Sequence, residues 1–356
     1  MWSDKKVLHI IDTLWLGGAQ TVLKGLFENN QKQKNQFLFA LRNTSEKITI
    51  KHPNVQIFSS RFKLTFFRPL LQILKIIEDE NIEIIHCHLP KSQYLGLFVK
   101  FLKPNLKLVF QEQGDIIENR PINLKAYSYG KNKLDVVIAC SQEVKRQIIA
   151  KSNFPKEKIA VVYNYVNLKP IDLKNKNFGE KLNIAFAGRI IERKGWKEYI
   201  QALSLLKNEN IDYHAHIAGV GSDVKKLHQL IQKLNLNKQI THHGFVKNMS
   251  DFFDNIDILI VPSHWEPVGM VHLEAMSRGV IVIASDVAGM NEILFNNENC
   301  ILVERKNPVS IKNAIIKLNK DENLKQRIRI SAFETAKKFD LNYFENELNN
   351  IYQKIN

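Results

Sequence analysis

Apolar and polar positions fall into alternating blocks along the chain. Short β-rich runs, "KVLHIID" at 6–12, "QFLFAL" at 36–41, "IEIIHCH" at 82–88, "LKLVFQEQ" at 106–113 and "LDVVIACS" at 134–141, are separated by stretches with helical spacing. These helices are expected from about Ala19, near 68–79 and near 92–102. Near-continuous apolar strands interleaved with helices imply a parallel sheet covered on both faces.

Around 163–180 the pattern breaks into a polar stretch with Pro170 and Gly179, which reads as an interdomain linker. The alternation then restarts with "LNIAFAG", "YHAHIAG", "ITHHGF", "DILIVPS" and "GVIVIAS". Trp196, Ile200, Leu203 and Leu206 recur at helical spacing and predict an amphipathic helix packed on a sheet. From about Pro308 the chain is helical throughout. The expected fold is α/β, with a Rossmann-like domain over 1–165, a linker over 166–180 and a second Rossmann-like domain over 181–340. A last helix over 341–356 is expected to cross back to the first domain.

At 356 residues the chain can bury two cores, and 44% hydrophobic with 24% charged residues is the balance of a folded protein. The longest apolar runs, such as "VIVIAS" at 280–285, are far shorter than the roughly 18–20 residues a membrane helix needs. His9 and Asp12 interrupt the signal-like start, which reads as a buried first strand. Cys87, Cys140 and Cys300 are too few and too widely spaced for a disulfide framework or a zinc site, so a reducing, cytoplasmic setting is expected. The formal charge of +15 is uneven: residues 1–165 hold 25 Lys and Arg against 14 Asp and Glu. That excess in the first half suggests an anionic partner there.

In open α/β sheets ligands bind beyond the carboxyl ends of the strands, so the residues after each strand carry the candidate chemistry. Gly17 and Gly18 follow the first strand and open a helix, where free N–H groups attract a phosphate. After "LNIAFA" come Gly188, Arg189 and Lys194, two cations suited to a diphosphate. Gly219 and Gly244 end later strands and could admit a planar base. After "DILIVPS" stand Glu266 and Glu274, eight positions apart, with a helix expected to begin near Val268 or Gly269. No Asp-x-Asp dyad stands in a suitable loop, so no metal is expected.

These segments, "LWLGGAQTVL", "HCH", "AGRIIERKGW", "IAGVGSDVKKL", "HHGFV" and above all "DILIVPSHWEPVGMVHLEAMSRGVIVIASDVAGMNE", resemble the retaining glycosyltransferases of family 4 over nearly the whole chain. The resemblance implies the GT-B fold of two facing Rossmann-like domains. It also implies a nucleoside-diphosphate sugar donor, UDP- or GDP-linked, with no cofactor. By it, Glu274 would hold the donor ribose, Glu266 would lie near the transferred sugar, and Arg189 and Lys194 would clamp the diphosphate. Backbone N–H groups near Val268, Gly269, Met270 and Val271 and the Gly17–Gly18 loop would assist. Gly244 to Val246 would line the base, and His88 would face sugar and acceptor from the first domain. Two segments depart from the family: "QEQG" at 111–114 places Gln113 where a histidine is usual, and "NYVN" stands at 164–167 in place of Asn-Gly-Val-Asp.

The function expected is sugar transfer to a glycan or lipid-linked acceptor in surface-polysaccharide, lipopolysaccharide or glycolipid synthesis. The segment 61–75, with four cations among phenylalanines and leucines, is expected to lie on an anionic membrane surface at the inner face of the cytoplasmic membrane. A nucleic-acid-binding protein is suggested only by net charge and lacks a docking motif. A catalytically silent nucleotide-sugar-binding protein of the same fold is the remaining alternative.

Overall fold

The computed structural model describes residues 4–355 except 16, 30–34, 43–48, 58–66, 115–120, 172, 174–178, 180 and 210. The chain divides into two compact units, Met1–Tyr165 with Leu341–Asn356, and Val166–Asp340.

The first unit is built from β1 (Val7–Ile11), α1 (Gly18–Glu28), β2 (Gln36–Ala40), β3 (Val55–Ile57), α2 (Phe67–Asp79) and β4 (Ile84–His88). It continues with α3 (Pro90–Leu102), β5 (Lys107–Glu112), α4 (Pro121–Gly130), β6 (Val136–Ala139), α5 (Gln142–Ser152) and β7 (Ile159–Val161). Its seven strands pair in the order β3-β2-β1-β4-β5-β6-β7, all parallel. Every residue of β1, β2 and β4 is buried, as a strand covered by helices on both faces must be.

The second unit holds β8 (Leu182–Ala187), α6 (Trp196–Leu205), β9 (Tyr213–Ala218), α7 (Val224–Lys233), β10 (Ile240–Gly244) and α8 (Met249–Asp254). After these come β11 (Ile258–Val261), α9 (Met270–Met276), β12 (Ile281–Ser285), β13 (Ile301–Val303), α10 (Pro308–Lys320) and α11 (Glu322–Lys337). The parallel order is β10-β9-β8-β11-β12-β13. Trp196, Ile200 and Leu203 of α6 are buried in its core.

In each sheet the first strand of the unit lies beside the fourth, which is where the connections change side and a crevice opens at the carboxyl edge. The crevice of the first unit therefore lies beyond β1 and β4, and that of the second beyond β8 and β11.

The chain returns to the first unit as α12 (Leu341–Lys354), burying Phe344, Leu348 and Tyr352 at i, i+4 and i+8 in that unit's core. Each such side chain contributes about 1.5–3 kcal/mol of burial. Tyr165 packs on Phe344 with ring centroids 5.3 Å apart and donates its hydroxyl proton to the Val22 carbonyl, 2.9 Å away.

That tyrosine explains a glycine inside α1. A Cβ at Gly25 would lie 1.7 Å from the Tyr165 hydroxyl. Alanine normally stabilises a helix interior by about 1 kcal/mol over glycine. Here Gly25→Ala is expected to destabilise by about 1–3 kcal/mol, the scale of overpacking, in urea unfolding. A stabilised variant would show that Tyr165 does not occupy this space.

Candidate functional site

In the second unit the loop after β8 passes Gly188 and Arg189, makes a 3₁₀ turn over Glu192–Lys194, and enters α6 through Gly195. Gly195 has φ +72°, and a Cβ there would lie 1.9 Å from the Pro262 carbonyl oxygen. Only glycine fits, and the loop after β8 thereby rests backbone to backbone on the loop after β11. Gly219 is explained in the same way: its Cβ would lie 1.8 Å from the Gly188 carbonyl oxygen. At Gly188, Gly244 and Gly18 an added Cβ meets nothing within 4 Å.

This close approach brings Lys194 to Glu266. The Lys194 ammonium and the Ser263 hydroxyl, the latter at 2.8 Å, both donate to Oε1 of Glu266, which is only 3% exposed. Burial pushes the carboxyl up, but the Lys194 charge, the two hydrogen bonds and the Arg193 charge outweigh it and hold Glu266 below the usual range. It is an ionised, paired carboxylate. The loop that carries it is pinned on several sides. The His264 amide donates to the Arg193 carbonyl at 2.8 Å, the His264 ring meets Glu198 at 3.0 Å, and Arg193 lies 5.3 Å from the Trp265 ring.

Glu274 is in the opposite state. It sits half-buried on α9, and no ion pair or hydrogen bond reaches its carboxyl group among the described residues. Burial raises it to about 7. His272, fully buried on the same helix, is pushed down to about 4 by burial, against the pull of Glu266, and among the described residues neither ring nitrogen has a hydrogen-bond partner. The helix begins at Met270, later than the expected Val268 or Gly269, because Gly269 has φ +85° and no helical turn can pass through it. Val268 is buried ahead of it, while Met270 and Val271 are partly exposed in the first turn. Arg189 is exposed and has no ion pair among the described residues; Val246 is partly exposed beyond β10.

In the first unit the Asp12 carboxylate, just past β1, accepts from the amides of Lys91 and Ser92 at 3.1 and 2.7 Å and so caps α3. His88 ends β4 beside it. Leu89 follows with φ +76°, uncommon for a residue with a branched side chain, and the Ser92 hydroxyl donates to the carbonyls of His88 and Leu89. His88 is bonded through Nε2 to Nδ1 of His9 at 3.0 Å, and Nε2 of His9 to Oε1 of Gln36 at 2.9 Å. Gln113 accepts from the Asn164 amide at 2.6 Å.

Sequence reasoning named Glu266, Lys194 and His88 but missed Ser263, His272, His9 and Gln36. Ser263, three residues before Glu266, was within reach of a local argument. The partnership of Lys194 with Glu266 spans 72 positions and has no local signal.

The pair has a measurable pH signature. Because Glu266 is held low in the folded state, its contribution is present above the ordinary carboxylate range and is lost as pH falls through it. Lys194→Ala leaves only the Ser263 hydrogen bond and the Arg193 charge against burial, so the carboxyl rises and the variant's deficit grows as pH increases. Urea unfolding should show a loss of about 3–5 kcal/mol at pH 8 and a smaller one at pH 5. An equal loss at both values would mean that Lys194 is not the counter-charge of Glu266.

Residues 16–169 match the family model for Glycosyltransferase Family 4, and residues 169–335 match that for Glycosyl transferases group 1. The capsular polysaccharide biosynthesis glycosyltransferase CapM of Staphylococcus aureus is 24% identical over 98% of this chain and 97% of its own. An uncharacterized glycosyltransferase of Methanocaldococcus jannaschii is 27% identical over 79% of this chain and 77% of its own. Among solved structures, Anabaena HepE in complex with UDP superposes with a TM-score of 0.84 at 20% identity, covering 98% of this chain and 99% of that one. HepE has also been solved with UDP and glucose and with UDP-glucose. With the two family models running together from residue 16 to 335 and two parallel α/β units of GT-B type, the chain belongs to the family 4 type of glycosyltransferases.

Proposed function

We propose that this chain moves a sugar from a nucleoside-diphosphate sugar to a hydroxyl of a glycan or lipid-linked acceptor, with retention of configuration and without a metal. The observation that carries the reading is the contrast between two glutamates in one loop and helix: Glu266 ionised and paired with Lys194, Glu274 without a partner among the described residues and raised to about 7. A carboxyl left without protein partners is suited to neutral hydroxyls, as a ribose offers. A diphosphate is a good leaving group whose growing charge needs cations and N–H groups rather than a general acid. Arg189, Lys194 and the first-turn amides after Gly269 supply these. In the second unit Gly244 and Val246 line the base; in the first, Gly17–Gly18 at the start of α1 offers amides to an anionic group and His88 contacts a substrate hydroxyl. Likeness to a protein solved with UDP-glucose favours a uridine donor, and likeness to CapM favours a surface polysaccharide as product.

A second reading has one observation in its favour: opposite pKa shifts in neighbouring carboxyl groups also mark acid/base pairs. Calorimetry separates the two. Glu274→Ala should lose affinity for free nucleoside diphosphate, while Glu266→Ala should keep it and lose turnover of the sugar nucleotide, its contact being on the sugar. Equal loss of the diphosphate in both, or retention in both with only a pH-dependent rate lost, would favour the acid/base pair.

The acceptor side of the proposal includes an anionic membrane. Residues 61–66 of the expected contact segment lie outside the described residues, but α2 continues it with Phe67 and Leu71 exposed by 71% and 65%, alongside exposed Arg68 and Lys75. Among the described residues no helix is long and apolar enough to cross a bilayer. Sedimentation with anionic vesicles should fall as salt rises and should drop in a Phe67→Ser/Leu71→Ser variant. Equal binding to neutral vesicles, or none to either, would remove the membrane from the proposal.

A further inference from the structure

Strands β1 and β4 carry a buried group of three histidines, His9 and His86 at the middle of their strands and His88 at the carboxyl end of β4. His9 and His86 are register partners on neighbouring strands, and His86 and His88 lie two apart on one face of β4. All three are buried, and burial lowers each, His9 to about 4, so all three are neutral imidazoles near pH 7.

Their hydrogen bonds form a directed chain. Oε1 of Gln36 can only accept, so His9 carries its proton on Nε2, 2.9 Å from it. Nδ1 of His9 is then a lone pair, and the proton in the 3.0 Å contact with His88 belongs to Nε2 of His88. That leaves Nδ1 of His88 unprotonated, buried and without a partner. Among the described residues no donor reaches it, and a buried acceptor left so costs about 1–3 kcal/mol, a cost that a hydroxyl of a bound molecule would relieve.

One ring nitrogen from each histidine lies within 4.8 Å of the others, a spacing also compatible with a metal ion. The ring orientations argue against one. His9 and His88, with centroids 5.2 Å apart and planes 22° apart, meet edge to edge along their hydrogen bond. His86 stacks face to face on His88 at 4.2 Å and turns Nδ1 to the Tyr352 hydroxyl at 2.7 Å. Lone pairs lie in ring planes, and planes so nearly parallel do not converge on one point.

We propose that His9, oriented by Gln36, is a positioning residue that locks His88 in the Nε2–H tautomer and so presents Nδ1 as a ready acceptor for a substrate hydroxyl. This rests on the reading that His88 contacts substrate. Which ring nitrogen of a histidine is free is set by the bond the other one makes. A His88 free to exchange tautomers would spend part of its time as a donor at Nδ1 and would turn its ring. The strained Leu89 and the Ser92 hydroxyl fix the backbone of His88, and His9 fixes its side chain.

The test is nitrogen-15 nuclear magnetic resonance of the full chain labelled at histidine, with His88 assigned by its loss in His88→Gln. The wild type should show His88 protonated at Nε2. His9→Leu should give a mixture of tautomers at His88 and a kcat lower by about 10²-fold, the scale of a misplaced group. His9→Asn, which keeps an acceptor near the position of Nδ1, should restore both. If His9→Leu does not fold, Gln36→Leu removes the outer link and should loosen the same tautomer. His88 protonated at Nδ1 in the wild type, an unchanged tautomer in folded His9→Leu, or replacement of the His9–His88 bond on adding stoichiometric Zn²⁺ would each overturn the proposal. Normal turnover in His88→Gln would instead overturn the substrate-contact reading, which the resonance measurement alone does not probe.

Discussion

The approach of two backbones at Gly195 and Pro262 governs the second unit. The loops after β8 and β11 leave neighbouring strands and could diverge; a glycine whose Cβ would stand 1.9 Å from a carbonyl oxygen lets one rest on the other. Lys194, the residue before that glycine, is delivered to Glu266, four residues past that carbonyl. The same device recurs nearby, where a Cβ at Gly289 would lie 2.0 Å from the Glu266 carbonyl oxygen. Side chains set the chemistry, but the absence of side chains at these points sets the distances. An alanine at any of them would move the loop before it moved the charge.

The electrostatics follow from that packing. An ionised carboxylate removed from water needs a cation at contact distance, and Glu266 has one. Glu274, on the adjacent helix, has none among the described residues, and burial drives both it and His272 toward their neutral forms. A fold selected only for stability would satisfy or remove such groups. Their persistence beside a satisfied pair divides the segment into a part held rigid by its own contacts and a part left open to others.

Much of this was legible in the sequence. The strands were readable because parallel sheets bury both faces, so β1, β2 and β4 appear as unbroken apolar runs. The loops after them could be singled out by topology alone. Other features were hidden for physical reasons. Gly219 reads as a turn or a base-facing residue, yet it is required by the Gly188 carbonyl, a contact between segments with no shared local pattern. The late start of α9 depends on a positive φ at Gly269, which sequence permits but does not demand. His9 reads as an interruption in an apolar strand. Its role emerges only when register places it against β4 and Gln36 closes the chain of bonds.

Helix starts tell where the protein leaves N–H groups for something else. Ser141, Asn307 and Asp321 cap α5, α10 and α11 through their side chains, and the Asp12 carboxylate does the same for α3. Each such cap is worth about 1 kcal/mol. By contrast α1 opens on Gly17 and α9 on Gly269, with no capping side chain and no acid in the first turn. Both helices follow a strand at a switch point of its sheet, β1 in one unit and β11 in the other. An acid at either start would satisfy the amides and repel an anion; its omission gives up that stability at the two places where a phosphate-bearing ligand is proposed to gain from it. Helices α6, α7 and α8 lack side-chain caps as well; what sets α1 and α9 apart is a glycine start with no first-turn acid, at the switch-point edges where the candidate ligand contacts lie.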